Sequence, residues 1–276
     1  MSRSDSSFPK NAAPRQDSRG LSRLRAQTLL SWEKEKRLLS WWGVQDGMMV
    51  LEVGSGPGFF TEQLLAWLHS SPITCIDIDP MFLEHARHLL LSQAHRVRFV
   101  EASILASDLP ERTFDVVIAR FVFQHLPEPV AAAQAIWHLL KPGGKLIIID
   151  SDDALYGIVH PPVPELTLIL EKYGELQARR GGDRLIGRKL GRLLAQAGFL
   201  PRALDAIAFH SDELGIEAFR EYLNPERFAP LVKAGLLSEE QFAQARASAE
   251  RFFASPERFI MMLWLMAYGE RPLSPQ

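Results

Sequence analysis

The stretch from Met48 to Asp150 alternates short apolar runs with amphipathic segments, and this alternation constrains the fold more than any other feature of the chain. The runs MMVLEV, ITCID, VRFVE, FDVVIAR and KLIIID are almost continuously apolar, whereas PMFLEHARHLLLSQ and EPVAAAQAIWHLL have a helical period. Parallel strands covered by helices on both faces have this pattern. The alternation therefore predicts an α/β fold built on a parallel sheet.

The chain on either side of this stretch predicts further helices and two insertions. Its first residues are polar and rich in Ser, Pro and Arg, which is typical of a disordered tail. The last apolar run, RFIMMLWLMAYG, predicts a strand buried on both faces, with a buried helix as the alternative. The predicted division is a disordered tail (1–20), a helical cap (21–46), a ligand-binding core (47–150), a lid insertion (151–186), a core helix and strand (187–211), a helical lid (212–257) and a core strand (258–270).

Composition excludes several classes of protein. The 276 residues carry a formal net charge of −2, so no overall basic field would hold nucleic acid or an acidic membrane. The single cysteine, Cys75, excludes an internal disulfide framework and a Cys-rich zinc site. The eight histidines lack metal-ligand spacing, and no metal site is predicted. No apolar run is as long as a membrane span, and the N-terminus lacks a signal-peptide pattern, so the expected location is cytoplasmic.

The sequence VLEVGSGPGFF, residues 50–60, places three glycines at alternate positions directly after the first predicted strand. Gly54 allows a turn, while Gly56 and Gly58 leave room for a ligand against the backbone. The helix that begins near Phe59 would direct its free N–H groups at this loop. A glycine loop between a parallel strand and a helix is typical of nucleotide-type sites, although the signal is weak by itself.

Three details narrow the ligand. Phe59 stands where the dinucleotide fingerprint requires its last glycine. Glu52, two residues before the first glycine, would repel a pyrophosphate but attract a cation. Asp77 ends the second predicted strand, where a carboxylate can bind the two ribose hydroxyls. Together they predict a ligand with a ribose and a positive charge but no phosphate.

The segments VLEVGSGPG, CIDIDPMFLEHA, VRFVEASILASDLPERTFDVVIARFVFQHL and LKPGGKLIIID resemble, in order and spacing, the class I S-adenosylmethionine-dependent methyltransferases. The resemblance is greatest to the small-molecule branch that includes ubiquinone/menaquinone-type enzymes, and it covers about residues 47–150. It implies a Rossmann-like seven-stranded sheet of order 3-2-1-4-5-7-6, with strand 7 antiparallel. It also implies S-adenosyl-L-methionine as the cofactor and methyl transfer as the activity.

The resemblance further implies which residues hold the cofactor. Glu52 and the glycine loop would hold its methionine and ribose parts, and Arg120 would lie near the methionine part. Ser103 stands where the family often has an acid, but its hydroxyl can still accept a hydrogen bond. Arg25 and Gln27 of the cap could reach the cofactor carboxylate, a solvated helix face being the alternative. The implied set is Glu52, Gly54, Ser55, Gly56, Gly58, Phe59, Asp77, Ile78, Phe82, Ser103, Ile104, Arg120 and Arg25.

Several of these residues have a purely structural alternative at this stage. Glu52 could form a cap or salt bridge within the loop, and Asp77 could cap the next helix. Phe82 could belong to the core. Arg120 could be an ordinary surface cation or a contact for the substrate.

Methyl transfer from this cofactor is an in-line displacement, which requires alignment and exclusion of water more than acid–base chemistry. His125, after the fourth predicted strand, is the candidate general base, with a positioning role as the alternative. His160, Phe219 and Tyr222 are candidate acceptor contacts from the two lids, with ordinary packing as the alternative. The acidic residues that follow the fifth strand, at positions 150, 152 and 153, could contact a substrate or form a solvated turn.

The sequence therefore favours methyl transfer to an O, N or C nucleophile of a small apolar or aromatic molecule. The alternatives are a protein or RNA methyltransferase, a cofactor-binding regulatory or non-methylating member of the fold, and, least favoured, a nicotinamide oxidoreductase. The expected partner is a small-molecule acceptor, with no nucleic acid and no membrane. A homodimer is left open, because the helical insertions could also form an interface.

Overall fold

The computed structural model describes residues 18–273, without the side chains of Ser18, Arg19, Arg202 and Tyr222. The predicted tail, 1–20, thus lies outside the described residues except for its last three, which form the start of the first helix. The eight strands are β1 (Val50–Val53), β2 (Ile73–Asp77), β3 (Val97–Glu101), β4 (Phe114–Arg120), β5 (Leu140–Asp150), β6 (Ile158–His160), β7 (Leu200–His210) and β8 (Phe259–Glu270).

Ten α-helices accompany the strands in this part of the chain. They are α1 (Ser18–Trp41), α2 (Phe59–Trp67), α3 (Pro80–Leu89), α4 (Pro129–Leu139), α5 (Pro164–Ala178), α6 (Leu190–Gln196), α7 (Ser211–Leu214), α8 (Glu217–Leu223), α9 (Ala229–Lys233) and α10 (Glu239–Ala254). Prolines at the first turns of α3, α4 and α5 suit positions whose N–H has no intrahelical partner. Ser238 and Gln241 form a reciprocal capping box that starts α10.

The strands form one sheet with a central order of β3-β2-β1-β4-β5-β8. The first five strands are parallel, and β8 is antiparallel to β5. The other edge of β8 pairs with β7 from Leu200 to His210, and the short β6 pairs with the start of β8 on the edge it shares with β5. The predicted α/β class and the 3-2-1-4-5-7-6 order are confirmed, because β8 is the inserted antiparallel strand and β7 the edge strand.

Alternate residues of the central strands face opposite sides of the sheet and enter two separate cores. Val116 and Ile118 of β4 pack in one core with α1 and α2, whereas Val117 and Ala119 pack in the other with α4 and α6. The apolar run of β8 is a strand, as predicted, and Trp264 at its centre is fully buried. Continuous apolar sequence is therefore explained by burial on both faces.

The helices after β5 form a third, smaller core. It contains Ile169 of α5, Leu231 of α9 and Phe242 of α10. The predicted helical lid, 212–257, consists of several separate helices, with Gly215 and Gly235 at positive φ between them. The division into a core and two lid insertions stays a prediction, but these helices are placed where they can cover one end of the sheet.

Candidate functional site

A cavity lies at the carboxyl ends of β1, β2 and β4, where parallel sheets bind ligands. The glycine loop forms part of its wall, and the three glycines serve different purposes. All three have positive φ: 66° at Gly54, 54° at Gly56 and 87° at Gly58. A Cβ at Gly56 would meet nothing within 4 Å, so this position leaves open space for a ligand.

The other two glycines are required by packing. A Cβ at Gly54 would clash with the side chain of Val122, and one at Gly58 would lie 2.9 Å from the Cβ of Ala86 in α3. Gly58 does not line the cavity, although Gly54 does. The prediction that Gly58 leaves room for the ligand is corrected: its small size lets α2 pack closely on α3.

Asp77 links the end of β2 to the glycine loop. Its carboxylate accepts hydrogen bonds from the backbone N–H of Gly56 (2.7 Å) and of Asp79 (2.9 Å). Burial raises the pKa of Asp77, while these two N–H groups lower it. The helix cap of α3 is Asp79, whose Oδ1 accepts from the N–H of Met81 at 2.9 Å, so the alternative that Asp77 caps α3 is wrong.

Glu52 of β1 faces the cavity from a buried position, with 2% of its surface exposed. It accepts a hydrogen bond from the Thr61 hydroxyl at 2.7 Å. Burial raises the pKa of Glu52 to about 8, against the opposing effects of Thr61 and of the positive charge of Arg120. The protein alone therefore holds Glu52 largely protonated at neutral pH, and a cationic ligand would favour its ionised form.

Four further residues of the implied cofactor-binding set line the cavity: Ile78, Phe82, Ser103 and Ile104. Phe82 is buried in the first turn of α3, so the core and the cavity-wall interpretations both hold for it. The Ser103 hydroxyl accepts from the N–H of Leu105 at 3.2 Å and caps the 3-10 turn at 104–106. The hydroxyl that stands in place of the usual acid thus already accepts a hydrogen bond from the backbone of this wall.

Arg120 ends β4 and is locked to the N-terminal helix. Its Nε and Nη2 each lie 2.9 Å from a carboxylate oxygen of Glu35 in α1. The two side chains are 8% and 0% exposed, and the guanidinium lies over the rings of Phe60, Phe121 and Trp264. Arg120 lines the cavity and is buried, so the alternative of an ordinary surface cation is wrong. This buried pair fixes α1 against the end of the sheet.

The N-terminal helix faces the cavity with a different side from the one expected. Arg23, Leu24, Gln27 and Thr28 line the cavity, which agrees with the prediction for Gln27. Arg25 instead forms an ion pair with Glu62 at 3.4 Å and lies over the ring of Phe59. Arg25 is outside the cavity wall, and Arg23 replaces it as the arginine of α1 nearest the ligand space.

His125 lies in a 3-10 turn after β4 and is 6% exposed. Its Nδ1 lies 2.8 Å from the amide nitrogen of Gln177 in α5. An amide nitrogen can only donate, so Nδ1 accepts, and the proton of the neutral ring resides on Nε2. A ring in this tautomer favours a positioning role over the general-base role, and the base assignment stays a prediction.

The far end of the cavity, which we call the arginine end, is formed by Gln124, Tyr173, Arg184 and Arg227. Arg184 makes a bidentate ion pair with Asp153, at 2.8 and 2.6 Å, and also donates to the Gln124 side-chain oxygen. Arg227 donates to the Tyr156 hydroxyl at 3.0 Å. Both guanidinium groups lie over the ring of Tyr173, at 4.9 and 5.8 Å from its centre.

The segment RRGGDR, residues 179–184, is closely packed despite its two glycines. A Cβ on Gly182 would lie 2.5 Å from the carbonyl oxygen of Gln124, and one on Gly181 would lie 3.1 Å from Pro127. The Asp183 N–H donates to the same Gln124 carbonyl at 2.8 Å. The segment is packed against residues 124–127, and this packing holds Arg184 in place.

The acidic cluster after β5 is buried rather than a solvated turn. Asp150 accepts from the N–H groups of Gln124 and Ser151, and burial raises its pKa to about 7. Asp153 pairs with Arg184, and Asp152 pairs with Arg188 at 2.7 Å. The solvated-turn alternative is wrong, since Asp152 and Asp153 anchor arginines from a segment more than thirty positions later in the chain.

The predicted acceptor contacts lie elsewhere. His160 is largely exposed and faces Glu257 at 3.8 Å, and it does not line the cavity. Phe219 is fully buried in the main core, stacked on Phe209 at 6.0 Å between ring centres. The structure thus corrects both predictions. The side chain of Tyr222 lies outside the described part of the chain.

One buried polar atom in the glycine loop indicates how a ligand could be held. The Ser55 hydroxyl is buried and has no nitrogen or oxygen hydrogen-bond partner among the described residues. Ser55 and Gly56 line the cavity together with Asp77, and Gly56 has open space beside it. This set fits a ribose-bearing ligand, whose hydroxyls can pair with Asp77 and whose polar atoms can pair with the loop.

Comparison with known proteins agrees with this geometry. The family described as "Methyltransferase domain" matches residues 51–148. Within residues 51–148, therefore, the chain carries a methyltransferase domain. It is 31% identical over 154 residues to a malonyl-[acyl-carrier protein] O-methyltransferase from a Paenibacillus species, and 26% identical over 145 residues to the ubiquinone/menaquinone biosynthesis C-methyltransferase UbiE of Cronobacter sakazakii.

These matches cover 54% and 51% of this chain, and the chain spans 54% and 58% of those two relatives, little more than half of their length. A solved structure with the same fold is that of a putative methyltransferase from Bacillus halodurans C-125. Its TM-score is 0.56 at 17% identity, and the alignment covers 86% of this chain and 98% of that one. The predicted resemblance to methyltransferases is confirmed for residues 51–148, and the solved structure confirms the predicted fold.

Residues 18–273 contain neither a membrane-spanning helix nor a cluster of metal-ligating side chains. No helix in that range is both long and apolar enough to cross a membrane. Nor does the range contain a group of three or more His, Cys, Asp or Glu side chains arranged to hold a metal ion.

Sequence reasoning missed the arginine end and the wall formed by α1. Tyr173, Arg184 and Arg227 come from segments without a recognisable motif, and only their position after β5 connects them to the ligand-binding edge. The helical period of α1 could have suggested Arg23, since it shares a face with Gln27.

Proposed function

We propose that this protein transfers the methyl group of S-adenosylmethionine to an O, N or C nucleophile of a small molecule. The observation that carries the proposal is one continuous cavity that joins the glycine loop and Asp77 to the arginine end. A cofactor bound at the loop would share this space with an acceptor bound at the other end. Such a shared space is what an in-line displacement needs.

The residues of the loop fit the cofactor. Asp77 is placed to accept from ribose hydroxyls, Ile78 and Phe82 to pack on the adenine, and Ser55 and Gly56 to meet the polar chain between them. Glu52, with its raised pKa, would ionise beside the cofactor's positive charge. S-adenosylmethionine supplies a methyl group already activated on a sulfonium, which an acceptor nucleophile can displace.

The residues of this chain would then contribute alignment and exclusion of water. The Arg120–Glu35 pair holds α1 over the cavity, and α1 adds Leu24 and Thr28 to its wall. The Gln177 amide orients His125 beside the acceptor space. A bound cofactor and acceptor would displace water from this concave site, which favours methyl transfer over hydrolysis.

A concave cavity walled by several segments favours a small molecule over a folded protein or RNA. The wall comes from α1, the sheet and the helices after β5, so a macromolecular substrate would have to insert a single extended group. The formal net charge of −2 also gives no general attraction for nucleic acid.

The proposal can be tested without knowing the acceptor. The protein is incubated with methyl-labelled S-adenosylmethionine and separate small-molecule, protein and RNA fractions of a cell extract. We expect label in the small-molecule fraction, and none with the Asp77→Ala variant. Label confined to protein or RNA, or no label in any fraction despite cofactor binding, would contradict the proposal; the last result would favour a non-methylating member of the fold.

A further inference from the structure

The carboxylates of the cavity wall and two of its arginines come from different parts of the sheet edge. Arg23 and Arg120 also line the wall, and Arg120 is paired with Glu35. Among the described residues, the carboxylates of the wall are Glu52, Asp77 and Asp79, which belong to β1 or follow β2. The arginine end has Arg184 and Arg227 instead. The carboxyl end of β2 is separated from that of β5 by three strand spacings, or about 14 Å.

Arg184 is fixed at the end of β5. Its backbone oxygen accepts from the N–H of Asp153 at 2.9 Å, and its guanidinium pairs with the same residue's carboxylate. Asp153 is buried and is not part of the cavity wall. The carboxylate therefore holds Arg184 from behind, while the arginine side chain faces the ligand space.

Arg227 contacts three aromatic rings. Its guanidinium lies 4.9 Å from the centre of the Phe228 ring and 5.8 Å from those of Tyr156 and Tyr173, and it donates to the Tyr156 hydroxyl. Ring contacts of this kind hold a guanidinium in one plane and displace its water. A preorganised, weakly hydrated guanidinium is suited to bidentate binding of a planar anion.

We propose that the acceptor carries a carboxylate, and that Arg227, beside Arg184 and Tyr173, binds it and determines the specificity of the site for acidic molecules. This inference rests on the proposed methyl transfer and narrows its acceptor from an apolar or aromatic molecule to an anionic one. An acceptor with an apolar body and an acidic group fits both Tyr173 and the arginines. A cationic acceptor would be repelled by the same two side chains.

The test uses the full chain saturated with S-adenosylhomocysteine, so that the cofactor's own carboxylate is already bound and cannot be mistaken for the acceptor's. The probes are hydroxylated aliphatic and aromatic frameworks, each supplied as a matched carboxylate, amide and amine. Binding is measured by calorimetry. We expect the carboxylates to bind at least about tenfold more tightly than their amides, as for a charge-assisted bidentate contact, and the amines to bind most weakly.

Three variants show whether Arg227 causes this preference. Arg227→Met should remove the carboxylate-over-amide ratio, and Arg227→Lys should retain part of it, because the charge remains but the planar fork is lost. Arg220→Met is the matched control, since Arg220 is exposed, pairs with Glu217 and is outside the cavity wall. Its ratio should equal that of the wild type.

Equal binding of carboxylates and amides, binding of no carboxylate in the panel, or an unchanged ratio in Arg227→Met would overturn the inference. Saturation by S-adenosylhomocysteine is established first in every variant. A failure of carboxylate recognition can then be told apart from a failure of the proposed function. A wild-type protein that does not bind S-adenosylhomocysteine would count against the methyltransferase proposal and would remove the inference with it.

Discussion

Glu52 and Asp77 are both buried carboxylates at the glycine loop, but their surroundings prepare them for different partners. Asp77 accepts two backbone N–H groups, which stabilise its ionised form against burial. Glu52 has the Thr61 hydroxyl as its hydrogen-bond donor, and its pKa reaches about 8. Glu52 is thus the residue whose charge would respond most to a cationic ligand.

The raised pKa of Glu52 predicts a pH dependence of stability. Its pKa is about 8 in the folded protein against an ordinary 4.5, so the folded state binds this proton more tightly. The free energy of unfolding should therefore fall as pH rises between these two values, by up to about 1.4 kcal/mol per pH unit from this residue. Glu52→Gln should flatten that decline in denaturant titrations across the range.

Asp77 and Asp150 also have raised pKa values, so the wild type minus Glu52→Gln difference is the quantity to compare. Glu33→Gln, at an exposed position of α1, serves as the control and should leave the pH profile unchanged. A Glu52→Gln profile parallel to that of the wild type would show that Glu52 titrates normally in the folded protein.

At the scale of elements, the packing of α2 on α3 depends on Gly58. A methyl group there would lie 2.9 Å from the Ala86 Cβ in a backbone with φ 87°. Gly58→Ala should lower the free energy of unfolding by about 2–4 kcal/mol, the sum of overpacking and left-handed strain. Urea denaturation measures this loss directly.

Gly56→Ala is the matched control for Gly58→Ala. It has a similar positive φ of 54° but open space around the added methyl group. Gly56→Ala should lower the free energy of unfolding only by the left-handed strain, about 1–2 kcal/mol. It should weaken the binding of S-adenosylhomocysteine more than Gly58→Ala does. Equal stability losses in the two variants would contradict the packing explanation.

The docking of α1 depends on a buried ion pair rather than on surface contacts. Glu35 is fully buried and pairs with Arg120 of β4. Glu35→Gln leaves the guanidinium without its counter-charge, so it should lower stability by about 3–5 kcal/mol. Hydrogen exchange of α1 should accelerate, and cofactor affinity should fall because Arg23, Gln27 and Thr28 leave the cavity wall.

Glu33→Gln again provides the comparison for Glu35→Gln, two positions away on the same helix and exposed. It should leave both exchange and affinity unchanged. Normal exchange of α1 in Glu35→Gln would show that apolar contacts such as Trp32 on Phe60, at 5.7 Å between ring centres, hold the helix alone.

For the molecule as a whole, sequence reasoning was reliable where the signal is local. The strands and the glycine loop follow from apolar periodicity and the spacing of three glycines, both set by residues close in sequence. The prediction of Arg25 was wrong because residues two positions apart on a helix point about 200° away from each other. Only packing against the sheet decides that Arg23 faces the cavity.

The arginine end was missed for a different reason. Asp152 and Asp153 could be taken for a solvated turn because their partners lie in a later segment without a motif. Burial of these acids is tolerated because Arg184 and Arg188 arrive from that segment. Phe219 and His160 were chosen by residue type alone, and the topology places one in the core and the other at the surface.

The most direct test of the central claim is calorimetric titration of S-adenosylmethionine and S-adenosylhomocysteine into the full chain, with NAD as the negative control. Asp77→Ala is compared with Asp46→Ala, because Asp46 also accepts backbone hydrogen bonds, from Ser70 and Ser71, but lies outside the cavity. We predict micromolar binding of both adenosyl ligands, a loss of about tenfold or more in Asp77→Ala, and no change in Asp46→Ala. Binding of NAD instead, or adenosyl-ligand affinity unchanged in Asp77→Ala, would contradict this account of the site.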